Sequence, residues 1–132
     1  MSDKRAVFFV SDSTAITAET LGHSLLTQFA GQSFDYRTLR YIDSEDRARE
    51  ARDSINAAHR EQGLRPIIFS TLVVSEIHEI VASSEGLFID FMDSFLSPLE
   101  EELGARRVAS VGHTHGVVTQ EQIFDTPEEF VL

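Results

Sequence analysis

Ser11, Asp12, Ser13, Thr14 and Thr17 crowd into the few residues that follow an apolar run at 6–10. Short hydroxyls and a carboxylate so placed suit two kinds of chemistry. They can hold a phosphate or another small anion at a helix N-terminus. They can equally cap that helix themselves. In the first reading Asp12 serves as base or ligand. Strand-end aspartates of that kind work beside a second aspartate, and none stands close by here. A second group is His113 and His115, in Gly112-His113-Thr114-His115-Gly116. An extended segment sets both imidazoles on one side. Metal sites need three or four ligands, so no metal is assigned, and the pair suits contact with a phosphate oxygen. Glu19 and His23, four apart on a helix, form either an acid/base couple or a solvated pair.

These side chains need elements to position them. The run at 6–10 reads as a buried strand, and a helix follows over about 14–29, with Ala18, Leu21, Leu25 and Phe29 as its apolar stripe. Gly22 inside it points to close packing against the sheet. A second strand spans 34–42, with Phe34, Tyr36, Thr38, Arg40 and Ile42 on one side. The next helix opens at Asp43-Ser44-Glu45-Asp46 and stops at Gly63, with Ala48, Ala51, Ile55 and Ala58 inward. So thin a face fits a sheet edge or a close neighbour, and the interleaved arginines read as a solvated side. A third strand at 66–71, a helix over 74–84 with His78 exposed, and a fourth strand at 87–91 follow. A last helix proper begins at Ser97, where Ser97-Pro98-Leu99-Glu100 is a capping box with proline at its first position. It ends at Gly104. Alternating strands and helices predict a three-layer α/β fold: a mainly parallel sheet of about four strands with helices on both faces. The organisation expected is an α/β domain over 1–104 and a linker, or the start of a further segment, over 105–132.

Composition narrows the function. The chain of 132 residues carries a net charge of -11, which disfavours nucleic acid as a partner. Its basic residues include a single lysine, Lys4, in a polar N-terminal segment, so neither a P-loop lysine nor a buried Schiff-base lysine is present. It has no cysteine, which removes disulfides, thiolate nucleophiles and zinc–thiolate sites. No apolar run approaches the roughly 20 residues that span a bilayer, so no membrane partner is expected and a cytoplasmic location is. Neither the dinucleotide pattern G-x-G-x-x-G nor the P-loop G-x-x-x-x-G-K-[S/T] occurs.

Several segments together resemble one family. They are Val10-Ser11-Asp12-Ser13-Thr14-Ala15-Ile16-Thr17-Ala18-Glu19-Thr20-Leu21-Gly22, Ser44-Glu45-Asp46-Arg47-Ala48-Arg49, Arg65-Pro66-Ile67-Ile68-Phe69-Ser70-Thr71-Leu72, Ser84-Glu85-Gly86 and His113-Thr114-His115-Gly116. In order and spacing they resemble the N-terminal part of the bacterial phosphoenolpyruvate synthase regulatory proteins and the related pyruvate, phosphate dikinase regulatory proteins. The resemblance covers about residues 6–116. It implies a bifunctional cytoplasmic regulator. Such a protein phosphorylates a threonine of the target synthase or dikinase with ADP. It also removes that phosphate with inorganic phosphate, releasing pyrophosphate. The family's nucleotide site is a P-loop in a C-terminal domain. The present 132 residues hold no such loop, nor the paired aspartates ahead of it, so none of those residues is carried over. ADP and phosphate thus belong to the full-length family and no cofactor is assigned to this chain. The expected role is dimerisation or recognition of the target synthase or dikinase. The alternative is a stand-alone phosphate- or nucleotide-binding α/β domain that uses the turn over 11–17, with Ser11, Asp12, Ser13, Thr14, Thr17, His113 and His115 as ligand contacts.

Overall fold

Strand and helix alternate without exception through the residues that the structure, a computed structural model, describes (4–108). The order is β1 (Arg5–Val10), α1 (Ile16–Leu26), β2 (Phe34–Leu39), α2 (Glu45–Gln62), β3 (Ile67–Ser70), α3 (Ser75–Ala82), β4 (Leu87–Asp90) and α4 (Phe91–Leu103). The strands form one parallel sheet in the order β2-β1-β3-β4. Val7 of β1 lies opposite Tyr36 on one side and Ile67 on the other.

Period-two alternation along β1 splits the core. Val7 and Phe9 meet Ala18 and Leu26 of α1, Phe69 of β3 and Phe91 of α4. Ala6, Phe8 and Val10 meet α2 and α3 on the opposite face, through Ala48, Ala51, Ile55 and Ala58, and through Ile77 and Val81. A central strand that is apolar on both sides requires cover on both sides. The arrangement is therefore the three-layer α/β fold expected from the sequence. Helix α2 uses the four inward residues read from its pattern, three alanines and Ile55. It packs closely beside α3 rather than resting on the sheet edge. Ser44 accepts the Arg47 amide at its start, and Gly63 ends it at φ 69°.

Four expectations are corrected. Helix α1 begins at Ile16, not Thr14, because Ala15 sits in the left-handed region at φ 71° and holds the preceding turn open. It ends at Leu26, before Phe29. Strand β2 stops at Leu39, and Tyr41 turns the chain at φ 57°. Ile42 consequently falls on the α2 side of the core, not beside Phe34 and Tyr36. Helix α4 begins at Phe91, six residues before the expected start, since Asp90 accepts the Asp93 amide and caps it there. Pro98 then lies inside the helix, and Ser97 donates to Asp93 instead of capping. Lastly, His78 is half-buried, with Nδ1 3.5 Å from Asp90 Oδ2 and its ring edge-on to Phe88.

Beyond α4 the chain turns at Gly104 and is pinned back on the helix by Arg107. Its guanidinium donates to both oxygens of Glu100, to Asp93 and to Ser97. The same arginine, by side chain and by backbone amide, holds the Glu100 carboxyl down to about 2. A carboxyl depressed by folding stabilises the fold above its ordinary range, and that stabilisation is lost as pH falls through the folded value. Carbon-detected NMR titration should therefore find Glu100 ionised down to about pH 2. Arg107→Ala should return it to the ordinary carboxylate range. An unchanged titration in that variant would overturn the assignment of the cause.

Candidate functional site

In an open parallel sheet ligands bind beyond the carboxyl ends of the strands, where the strand order reverses. Here that point lies between β1, which leads to β2, and β3, which leads outward to β4. Both strands run from apolar residues into short polar side chains that are buried: the Ser11 hydroxyl and the Asp12 carboxyl after β1, and the hydroxyls of Ser70 and Thr71 at the end of β3. Each strand end folds the same way. Ser11 Oγ accepts the Ser13 amide at 3.0 Å, and Ser70 Oγ accepts the Leu72 amide at 3.1 Å. Short hydroxyls favour such local turns over continued strand.

The turn after β1 is held from its far side by the segment that follows β2. Tyr41 donates its amide to the Ser13 carbonyl at 3.0 Å, and Ile42 donates to the Ser11 carbonyl at 2.9 Å. Arg40 Nε donates to the Thr14 carbonyl at 3.1 Å. Backbone groups that a loop would otherwise leave to water are thereby paired. These bonds tie the turn to the segment after β2.

Ser11, Thr14 and Thr17 come together on one small cavity of about 40 Å³, closed by Ala15, Ile16, Thr71 and Met92. Asp12 and Ser13 do not line it; Asp12 is buried and 5% exposed. His113 and His115 lie outside the described residues. The capping reading is corrected in part. The residue at the N-cap of α1 is Ala15, whose methyl accepts nothing, and the Ser11 hydroxyl is engaged by the turn itself. Thr71 and Met92 were not anticipated from the sequence. A signal for Thr71 was present, since Ile67-Ile68-Phe69-Ser70-Thr71 repeats the run from apolar residues into hydroxyls seen after β1. Glu19 and His23 do not form a couple. Thr38 donates to Glu19 at 2.6 Å and Arg40 pairs with it at 3.3 Å, whereas the His23 ring packs on Tyr36 with centroids 4.2 Å apart.

A cavity of about 40 Å³ accommodates one water-sized group. Pockets for drug-sized ligands run to about 300–1,000 Å³. The hydroxyls and the start of α1 can therefore orient a small polar group, and the cavity formed by the described residues is smaller than a nucleotide. Among the described residues no cluster of three or more histidine, aspartate or glutamate side chains is arranged to hold a metal ion.

Comparison with known proteins decides the family. A family model described as kinase/pyrophosphorylase matches residues 7–126. The chain belongs to the kinase/pyrophosphorylase family. It is 54% identical over 114 residues to a phosphoenolpyruvate synthase regulatory protein of Pseudomonas putida, covering 86% of this chain and 42% of that protein. A protein of the same name from Pseudomonas aeruginosa is 48% identical over 128 residues, 97% of this chain and 47% of the relative. One from Alkalilimnicola ehrlichii is 44% identical over 115 residues, with 87% and 42% covered. This member of the family thus spans a little under half the length of the curated relatives it matches. All of the sheet except Arg5 and Ala6, the turn after β1 and the cavity at the strand-order reversal fall inside the matched region.

Proposed function

We propose that this chain is the N-terminal regulatory part of a cytoplasmic bifunctional kinase and pyrophosphorylase. The regulator would act with ADP and phosphate on phosphoenolpyruvate synthase or a dikinase. The part described here recognises the target, or a second copy of itself, and does not transfer phosphate alone. The outer side of α4 carries this reading. Phe95, Leu99 and Leu103 are 57%, 51% and 71% exposed there at helical spacing, with Phe29 of the loop after α1 also exposed. Contiguous exposed apolar surface marks interaction sites. The residue match to regulatory proteins named for phosphoenolpyruvate synthase supports the choice of target.

Calorimetric titration tests this directly. Purified phosphoenolpyruvate synthase, or self-association seen by light scattering, should give a saturable signal that Phe95→Ser with Leu99→Ser weakens by about tenfold, as loss of two interface anchors does. ADP, AMP, phosphate and pyrophosphate should give none. Phosphoryl transfer by the chain alone would overturn the reading. Saturable phosphate binding lost on Thr17→Ala would replace it with a phosphate site at the turn after β1, where Ser11, Thr14 and Thr17 converge.

A further inference from the structure

A second cavity, of about 340 Å³, opens between α3 and α4 at the carboxyl ends of β3 and β4. It is large enough for a ligand side chain. Leu72, Val73, Met92 and Leu96 make it apolar along its length. The carboxylates of Glu79 and Asp90 make another part of it acidic, beside Ser75 and His78.

The one cation on its wall is already committed. Arg107 spends four of its five N–H donors on Glu100, Asp93 and Ser97, so its charge is offset by two carboxylates outside the cavity. Glu79 and Asp90 have no such compensation. The Asp90 side chain is 22% exposed. Its Oδ1 accepts the Asp93 amide, which fixes the carboxylate and leaves Oδ2 facing His78 at 3.5 Å. That separation is too long for a strong hydrogen bond. The two carboxylates disfavour an anion here. An apolar sleeve leading to two carboxylates matches one chemistry: an aliphatic stem ending in a cation.

We infer that this cavity receives a basic side chain, lysine or arginine, from a partner protein. The net charge of -11 steers basic segments toward the surface, and the cavity selects the side chain. The inference rests on the recognition reading above for the partner's identity only.

The test is an amide NMR titration of the 132-residue chain with acetyl-Gly-Ala-Lys-Ala-Gly-amide and with its norleucine isostere. Shifts should concentrate at Leu72, Glu79, Asp90 and Leu96, and the lysine peptide should bind about tenfold tighter than the isostere, as a desolvated charge pair allows. Asp90→Asn with Glu79→Gln should abolish that preference. Asparagine caps as well as aspartate, so α4 keeps its start. Should the double variant melt early, Glu79→Gln alone removes an exposed charge and should weaken the lysine peptide about threefold. Equal binding of the two peptides overturns the inference, as does a preference that survives the charge removals. Synthase binding without lysine preference overturns the cavity's role and leaves recognition standing. Lysine preference without synthase binding supports the cavity and overturns only the partner's identity.

Discussion

Phe69→Ala is expected to destabilise the fold by about 3–5 kcal/mol, the cost of emptying a large buried aromatic site. Phe69 is 2% exposed and sits in the middle of a stack. Its ring lies 6.0 Å from that of Phe9 and 5.2 Å from that of Phe91, at interplanar angles of 15° and 18°. Removing it therefore breaks two aromatic contacts and undermines both helices of that face. Single domains have about 5–15 kcal/mol in total, so the variant should approach the edge of unfolding. Urea denaturation followed by circular dichroism measures the loss. Phe95→Ala provides the contrast. Phe95 closes the same stack against Phe91 but is 57% exposed, and its loss should cost under about 1 kcal/mol. Equal costs for the two would contradict the account of the core given above.

Gly22→Ala should also destabilise, although alanine is the better helix former by about 1 kcal/mol. A Cβ at position 22 would lie 2.5 Å from Phe9 Cε1 and 2.8 Å from Phe69 Cδ2. Neither ring has room to retreat. Phe9 is stacked between Tyr36 and Phe69, and Phe69 between Phe9 and Phe91. Overpacking a filled core costs about 1–3 kcal/mol, which exceeds the helix gain over most of that range. A thermal melt decides the sign: a variant as stable as the parent, or more so, would mean that α1 slides off the sheet at no cost.

Gly22 was legible as a site of close packing before any coordinates, because nothing else justifies glycine inside an amphipathic helix. So was the inner face of α2, where three alanines and an isoleucine fall at helical spacing. The start of α4 was not. Two local signals compete there, a capping box at Ser97 and an aspartate at the end of β4. The second wins because β4 delivers Asp90 to the right place, and the helix accepts the cost of Pro98 inside it, a lost amide bond and a ring crowded against the preceding turn. The site divides the same way. Ser11, Thr14 and Thr17 declare themselves by type and spacing. Thr71 and Met92 reach the same cavity only through the pairing of β1 with β3, which no local pattern reveals. Whether the hydroxyls cap α1 turned on the backbone angle of Ala15, an unusual conformation for alanine and hence invisible to propensity.

The pairing of Val7 with Ile67 also governs how the chain is made. Of the four described strands β1 leaves the ribosome before the others, and it is apolar on both faces. One neighbour, β2, follows within a few tens of residues. The other arrives only with β3, 60 residues after β1. At about 5–20 residues per second, the nascent strand waits roughly 3–12 s for its second neighbour. Closing a loop of that length also carries an entropic toll that local contacts do not. Through that interval α1 and α2, which are made before β3, can cover the two faces of β1, but the edge that β3 will occupy stays open. The wait for β3 is thus a stage of synthesis at which an open strand edge invites aggregation, and at which a chaperone has something to protect.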